Sequence, residues 1–399
     1  MKSSHRLIAF FLFIIILAVG FFLNPPEKII SFIERFYFQT NNAIFPKNKN
    51  SDIKDFSKPP TSQKDIIKAV YVTSWSASKK SYIDYLINIV STTEINAAVI
   101  DIKDFSGYVA YDTKLPQVEE YKSEQIRIGD IDSLIQKLHE KKIYVIGRIT
   151  VFQDPILAGA RPDLAVRSIS RGSTSPFATW ADNWGLAWID PAARDAWEYN
   201  VSIAKDALNH GFDELNFDYV RFPSDGDLQD MVFPFWNGKD EKHVVIRGFF
   251  QYLRQELPNT KISIDLFGLS TINTDDLGIG QIIEDGYEYF DYICPMIYPS
   301  HYAAGFSEYP IPSQHPYEVV KKSMENALRR LKYYNQAHQK NAKLRPWLQD
   351  FTLTIPYDAE MVKAEIKAVE EVAGEDFNGF MIWNSQNVYT EEAFRINKP

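Results

Sequence analysis

Short apolar runs alternate with longer amphipathic segments from residue 68 to the end of the chain. The runs are rich in β-branched and aromatic residues, which favour strands, and the segments between them have the length and spacing of helices. The predicted strands are Ala69–Trp75, Ala97–Asp104, Ile143–Phe152, Glu214–Pro223, Lys261–Gly268, Tyr292–Tyr298, Leu344–Phe351 and Gly379–Asn384. The predicted helices are Tyr82–Thr93, Ile131–Lys141, Pro191–Asn209, Asp240–Glu256, Gln281–Tyr289, Tyr317–Gln339 and Asp358–Ala373.

This alternation predicts an α/β fold, a (β/α)8 TIM barrel over residues 66–399. An open doubly wound sheet is the alternative. Such a sheet normally has a glycine-rich phosphate turn after its first strand, whereas residues 74–78 read Ser-Trp-Ser-Ala-Ser. Two helix starts carry cap signals, namely Asp130 before the second helix and Asp190 with Pro191 before the third.

The fourth strand has an unusual polar face. Residues 214, 216 and 218 lie on one side of it, and they are Glu, Asn and Asp. Three polar groups on one side of an apolar strand indicate that this side faces water or a functional site. A half-exposed edge strand is the alternative. Arg221 follows on the same segment and is able to hold a carboxylate.

The first 65 residues differ from the rest in character. Residues 7–23 contain no charged residue and follow Lys2 and Arg6. They predict a signal anchor at 1–23 that crosses the membrane through residues 7–23, with the C-terminal domain extracytoplasmic. A cleaved signal peptide and a secreted protein are the alternative. Residues 24–65 predict a tether whose later part is rich in polar residues and flexible.

Composition limits the classes of partner and cofactor that the protein is expected to bind. The net charge is −9, which argues against a nucleic-acid partner because phosphate binding needs a basic surface. One cysteine, Cys294, excludes an internal disulfide, and no His or Cys cluster has zinc-ligand spacing. We therefore expect no metal and no cofactor. Aromatic residues make up 14% of the chain, which suits both a large core and stacking on sugar rings. The oligomeric state does not follow from the sequence.

In a barrel of this type the site lies at the C-terminal ends of the strands. Carboxylates, cations, amides and aromatic residues occur together at those ends. Asp218 and Asp265 are the candidate catalytic pair, because neighbouring strands are about 5 Å apart and bring such carboxyl groups near each other. The candidate substrate-binding residues are Asp101, Lys103, Arg148, Asn216, Arg221, Tyr298, His301, Asp350 and Trp383.

Paired carboxylates beside aromatic walls are what glycosidic bond cleavage requires: one acid protonates the departing oxygen, and the other carboxylate attacks, activates water or stabilises the ring cation. Several residues have a structural alternative. Lys103 with Asp101 fits a salt bridge, and Arg148 fits the counter-ion of Asp218 or Asp101. Trp383 fits an interior plug, His301 a loop residue and Asp350 a turn residue.

A long loop, Leu157–Trp188, follows the third strand and contains Trp180, Trp184 and Trp188. Three tryptophans in nine residues argue against disorder. We expect this loop to form a lid or rim that shapes the cleft, the alternative being a packed excursion with no ligand.

Several segments together carry a family resemblance. They are Lys68–Trp75, Asp101-Ile-Lys103-Asp104, Gly147-Arg148-Ile149, Trp184-Gly185 with Trp188-Ile-Asp190-Pro191, Asn216-Phe-Asp218-Tyr-Val-Arg221-Phe-Pro223 and Cys294-Pro-Met-Ile-Tyr298-Pro-Ser300-His301-Tyr302. The region 68–395 resembles a bacterial "putative glycoside hydrolase" barrel family that is distantly similar to the α-amylase-type barrels. The resemblance implies a TIM barrel with Asp218 as nucleophile or base and Asp265 as acid. Asp265 stands where the amylase-type barrels have Glu, so the shorter side chain changes its reach.

Two functions follow as hypotheses. The first is an exported, membrane-anchored glycoside hydrolase that acts on a cell-envelope or extracellular polysaccharide by paired-carboxylate catalysis. The second is a non-catalytic polysaccharide-binding barrel in the cell envelope. A metal-dependent hydrolase or deacetylase is disfavoured, because it needs His ligands at the strand ends and only His301 is near one.

Overall fold

The computed structural model describes residues 66–172, 178–353 and 355–395. Eight parallel strands close into a barrel, in which the last strand pairs with the first. The barrel strands are β1 (Ile67–Val72), β2 (Ala97–Lys103), β3 (Tyr144–Thr150), β4 (Glu214–Asp218), β5 (Ile262–Phe267), β6 (Tyr292–Met296), β7 (Trp347–Gln349) and β8 (Gly379–Trp383). The predicted barrel is confirmed, and the open sheet is excluded.

Helices connect consecutive strands. They are α1 (Lys80–Thr92), α2 (Ile131–Glu140), α3 (Arg194–Asn209), α4 (Lys242–Glu256), α5 (Ile283–Tyr289), α6 (Pro316–His338) and α7 (Ala359–Ala373). Asp130 caps α2 as predicted, because its side chain accepts from the Ser133 N–H. The predicted start of α3 is wrong. That helix begins at Arg194, and the Asp190 carboxylate instead accepts from the backbone N–H groups of Phe235 and Trp236.

Side chains alternate between the two faces of the strands, and each face has its own core. The outward side chains pack under the helices in one large apolar cluster. The inward side chains form a smaller cluster that includes Ala69, Val99, Ile146, Cys294 and Met381. Polar groups lie above and below this cluster inside the barrel. At the end where the strands begin, Arg345 ion-pairs with Glu214, and both side chains are fully buried.

Strand β4 lies between β3 and β5 and is buried along its whole length. The edge-strand alternative is therefore wrong, and the face with Glu214, Asn216 and Asp218 points into the barrel. The strand is shorter than predicted because Tyr219 has a φ of 53°, in the left-handed region. Strand β7 is also shorter than predicted: Lys343–Leu344 forms a separate short strand, and Pro346, which has no N–H to donate, lies before Trp347.

Additional elements decorate the barrel. Two short strands, Val109–Tyr111 and Glu124–Ile128, extend the sheet beyond β2, and Arg167–Ser168 pairs antiparallel with Met231–Val232. Short helices occur at Ser74–Ala77, Pro116–Tyr121, Pro155–Ala160 and Ile169–Gly172.

The loop after β3 packs around two buried tryptophans, Trp180 and Trp188. Its chain returns on itself at an isolated bridge between Ala181 and Ala187. Trp184, at the turn between these residues, is 85% exposed. The structure therefore gives the loop an ordered core and leaves one aromatic side chain in solvent.

The barrel closes where Ile67 of β1 lies beside Gly379 of β8. Gly379 has a φ of +98°, and a Cβ atom there would lie 1.8 Å from the Ile67 carbonyl oxygen. Only glycine fits this close approach of two backbones.

The predicted anchor at 7–23 and the tether at 24–65 lie outside the described residues. Among the helices of residues 66–172, 178–353 and 355–395, none is both long enough and apolar enough to cross a bilayer.

Candidate active site

Arg148 is the centre of a buried charge cluster at the end of the barrel where the strands terminate. Its Nη1 lies 2.6 Å from Asp101 Oδ1, and its Nη2 lies 2.5 Å from Asp218 Oδ2. Its Nε lies 3.7 Å from Asp265 Oδ2. The strand register explains the grouping, since Arg148 pairs with Asp101 on one side and with Asn216 on the other. One guanidinium thus holds carboxylates from β2, β4 and β5.

Asp265 is buried as deeply as Asp101 and more deeply than Asp218, with 1% of its surface exposed. Its Oδ1 accepts from Asn216 Nδ2 and from Trp347 Nε1, each at 2.8 Å. Burial first, and the nearby Asp218 carboxylate second, raise the pKa of Asp265 well above its usual value. Asp265 therefore favours the protonated state, which is the state a proton donor needs.

Asp218 lies at the last position of β4, nearer the mouth. Its Oδ1 accepts from the backbone N–H of Tyr219 at 2.5 Å. The left-handed backbone of Tyr219 is uncommon for an aromatic residue, and it ends the strand at this point. Asp218 is thereby held between its own strand terminus and Arg148.

An aromatic wall lies against Arg148. The rings of Tyr71 and Trp383 stack with centroids 3.9 Å apart. The Arg148 guanidinium carbon is 5.1 Å from the Trp383 centroid and 5.6 Å from that of Tyr71. The Tyr71 hydroxyl donates to Asp101 Oδ2, and burial raises the pKa of Asp101. Tyr71 therefore links the ring wall to the carboxylate cluster.

The structure brings together six of the residues predicted from sequence, namely Asp101, Arg148, Asn216, Asp218, Asp265 and Trp383. Tyr298 is buried at the end of β6, and burial together with the Asp265 and Asp218 carboxylates raises its pKa. His301 is exposed beside it, with ring centroids 5.4 Å apart. Arg221 lies at the mouth and makes no ion pair with Asp218.

Lys103 is placed elsewhere. Its side chain is fully buried, its Nζ lies 2.7 Å from Asp154 Oδ2, and it donates to the Thr150 carbonyl oxygen at 2.6 Å. The cause is an irregularity in the pairing of β2 with β3 between Asp101 and Lys103. Such a bulge breaks the strict alternation of faces, so Lys103 does not share the orientation of Asp101. The salt bridge considered from the sequence joins Lys103 to Asp154 and not to Asp101.

Asp350 forms hydrogen bonds with the loop after β8. Its carboxylate accepts from the Thr390 backbone N–H at 2.8 Å and from the Thr390 hydroxyl at 2.7 Å. Both oxygens therefore hold a segment close to the end of the described chain.

Sequence reasoning missed one residue in the cluster, Tyr71, and one near its mouth, Asp225. Tyr71 belongs to an apolar run, so nothing in its neighbours marked it as a partner of Asp101. The alternation of faces along β1 was the available signal, because it places the Tyr71 side chain inside the barrel, on the same face as Thr73. Asp225, half-buried in the loop after β4, was also missed. Burial and the neighbouring Asp182 raise its pKa.

Among the described residues, no group of three or more His, Cys, Asp or Glu side chains is arranged to hold a metal ion. The cluster around Arg148 offers carboxyl groups in different environments, one deeply buried with a raised pKa and another at the mouth. This arrangement can perform acid–base or nucleophilic chemistry on a bond held against the aromatic wall.

Comparison with known proteins places this architecture in a family. Residues 69–389 match the model of a family described as "Putative glycosyl hydrolase domain". The chain belongs to this family. The match spans all eight barrel strands except the first residues of β1, and it assigns the barrel to the glycoside hydrolases. No curated protein matches the chain.

Solved structures include similar chains. A hypothetical protein from Ruminiclostridium thermocellum is 36% identical, with 53% of this chain and 98% of that chain covered and a TM-score of 0.45. The glycoside hydrolase domain of PgaB (BpsB) from Bordetella bronchiseptica is 14% identical, with coverages of 81% and 95% and a TM-score of 0.55. The latter likeness supports the barrel fold.

Proposed function

We propose that this protein is an exported, membrane-anchored glycoside hydrolase that cleaves a cell-envelope or extracellular polysaccharide. The observation that carries the proposal is the cluster in which Arg148 contacts Asp218 and Asp265 at the mouth of a barrel of this family. Paired carboxyl groups in different protonation states are the requirement of this chemistry.

Asp265 is the proposed proton donor. Its proton passes to the glycosidic oxygen as the bond from that oxygen to the anomeric carbon breaks. Asp218 either attacks the anomeric carbon, forming a glycosyl–enzyme ester that water then hydrolyses as the ionised Asp265 takes the water's proton, or itself takes a proton from the attacking water. In both cases the water oxygen ends on the anomeric carbon, and the leaving sugar carries the donated proton. The distance between the reacting carboxyl groups in the substrate complex decides between the two routes.

The remaining cluster residues position these two. Arg148 and Asn216 orient the carboxyl groups, and Asp101 holds the far side of the guanidinium. Trp383, stacked on Tyr71, offers an aromatic face for a sugar ring, and Tyr298 with His301 forms the wall near β6.

The location is proposed from the N-terminal sequence. Residues 7–23 lack charge and follow basic residues, which favours an inserted segment with the barrel outside the cytoplasm. A tether of residues 24–65 would let the barrel reach a polymer near the membrane. Protease accessibility of the barrel on intact cells tests this orientation, and a barrel protected until cells are lysed would contradict it.

The activity is tested by incubating the full-length protein with purified polysaccharides, including peptidoglycan and deacetylated glycans, and measuring new reducing ends. We expect release by the wild type, and a loss of at least about a hundredfold in Asp218→Asn. Asp265→Asn and Asp225→Asn identify the donor. Loss of turnover in Asp225→Asn with turnover kept in Asp265→Asn would move the acid role to the loop after β4.

A binding barrel is the second candidate, and one observation favours it. The carboxylates of Asp101, Asp218 and Asp265 all have partners inside the protein, so the cluster is closed on itself. No release from any polysaccharide, with retention on one of them by both wild type and Asp218→Asn, would establish this function.

A further inference from the structure

Four cationic side chains are buried in the described part of the chain: Lys103, Arg148, Arg221 and Arg345. Three of them have carboxylate partners. Lys103 pairs with Asp154, Arg148 with the active-site carboxylates and Arg345 with Glu214. A buried cation is destabilising unless it is paired, so these contacts account for the burial of the three. Arg221 has no such partner among the described residues.

The hydrogen bonds of Arg221 leave part of its guanidinium free. Its Nη1 donates to the Phe222 carbonyl oxygen and to the Ser224 hydroxyl, each at 3.1 Å. No acceptor among the described residues bonds its Nε or Nη2. Neither atom belongs to the fully buried polar atoms that lack a partner, so both keep contact with solvent. The side chain as a whole is only 8% exposed.

Aromatic rings hold this guanidinium in place. Its central carbon lies 4.7 Å from the Trp188 ring centroid, 4.8 Å from Phe267 and 5.3 Å from Tyr219. Rings attract a cation more weakly than a carboxylate does. Burial accordingly lowers the pKa of Arg221, whereas the pKa of Arg148, which has carboxylate partners, is raised. The rings fix the orientation of Arg221, and the carboxylates of Asp218, Asp225 and Asp182 act on its charge without forming an ion pair with it.

The position of Arg221 relates it to the cluster around Arg148. It follows Asp218 by three positions on the segment leaving β4, and Phe267, which it contacts, ends β5 two positions after Asp265. The guanidinium therefore lies at the mouth, between the two strands that carry the proposed catalytic carboxyl groups.

We propose that Arg221 is a subsite for a carboxylate carried by the saccharide substrate, so that the protein selects an acidic glycan. The planar guanidinium, fixed on its rings with two donor groups open, matches the two oxygens of a carboxylate. The neighbouring Asp182 does not compete for it, since Asp182 Oδ2 accepts from Gln153 and Trp188, and Oδ1 accepts from the backbone. This inference rests on the proposed function and names its substrate class.

Two kinds of saccharide present a carboxylate: a uronic acid carries it on the ring, and muramic acid carries it on a lactyl ether. The test uses oligogalacturonate, oligoglucuronate and muramic-acid-containing glycan chains, each beside its methyl ester, which removes the charge and keeps the sugar. Binding is measured by titration calorimetry with full-length Asp218→Asn protein, so that cleavage does not interfere.

We expect at least one acid form to bind about tenfold to a hundredfold more tightly than its ester, the range of one charge-assisted contact. Adding Arg221→Gln should bring that ratio to about one, and Arg221→Lys should keep part of it. Which acid shows the preference distinguishes a ring carboxylate from a lactyl one. Arg194→Gln is the matched control, because Arg194 also stacks on a tryptophan, Trp197, but lies at the start of α3.

Equal binding of acid and ester in every pair would overturn the inference. If Arg221→Gln weakened the binding of both forms equally, the inference would also fail, and Arg221 would be assigned to neutral hydroxyl groups of the sugar. Cleavage of a neutral glycan without any acid preference would overturn it and leave the proposed hydrolase standing. An acid preference that depends on Arg221, without any turnover, would support the subsite and overturn the proposed hydrolase. Thermal unfolding of each variant shows whether the fold is retained.

Discussion

Replacing Arg148 with Met tests the charge cluster most directly. The side chains have similar length, but the change removes the cation that contacts Asp101, Asp218 and Asp265. Removing one partner of a buried ion pair destabilises a protein by about 3–5 kcal/mol, because the remaining charge is left uncompensated. We expect a decrease of that size in the free energy of unfolding at pH 7, measured by urea denaturation of the full-length protein.

The loss should depend on pH. The pKa values of Asp101 and Asp265 are already raised in the wild type by burial, and loss of the guanidinium raises them further. A carboxyl group with a raised pKa binds its proton more tightly in the folded state, so stability falls as pH rises from the unfolded pKa through the folded one. Each proton involved changes stability by about 1.4 kcal/mol per pH unit within that window. Arg148→Met should therefore be closer to wild type at pH 5 than at pH 8.

Arg247→Met is the control, since that arginine is half exposed and 3.9 Å from Asp285. We expect it to change stability by no more than about 0.5 kcal/mol. An Arg148→Met protein within about 1 kcal/mol of wild type at both pH values would refute the view that this cluster is held by one cation.

Three further predictions follow from single contacts. Trp184 is exposed and offers a ring face to a sugar outside the cleft. Trp184→Ala should leave stability within about 0.5 kcal/mol of wild type and weaken retention on long polysaccharide about fivefold, by about 1 kcal/mol, without slowing cleavage of short oligosaccharides; equal loss on both would contradict this role. Lys103→Met should lower the free energy of unfolding by about 3–5 kcal/mol because Asp154 loses its cation, and Asp154→Asn in the same chain should restore part of it. The kcat/KM profile of the wild type should fall as pH rises through the raised pKa of Asp265, since the donor loses its proton; a profile flat from about pH 5 to 9 would exclude this donor.

Most of the predicted site residues were placed correctly because side chains alternate between the two faces of a strand. This alternation placed Asn216 and Asp218 on one side of β4, and the register of the closed barrel brings Arg148 and Asp265 to the same level. This follows from sequence because regular strands repeat every two residues. Element ends agreed within three residues, apart from β4, which ends at Asp218 and not at Pro223 because Tyr219 adopts a left-handed backbone.

Local irregularities account for the residues that sequence placed less well. Lys103 would share the inward face with Asp101 in a regular strand, but the break in the pairing with β3 between these residues changes its orientation. Asp350 accepts a hydrogen bond from Thr390, and this contact depends on the path of the chain after β8. Tyr71 is the converse case, because its apolar surroundings gave no sign of the carboxylate that it meets on the neighbouring strand β2.

The seam between β1 and β8 has a consequence for how the chain is made. Ile67 is among the first residues of the barrel to leave the ribosome and Gly379 among the last, yet their backbones must lie side by side. Until β8 emerges, β1 and β7 each present an open edge, the kind of surface on which strands of different molecules join. Closure is therefore a late event in synthesis. Chains cut short before residue 379 should accumulate as aggregates, whatever the integrity of the carboxylate cluster that they already contain.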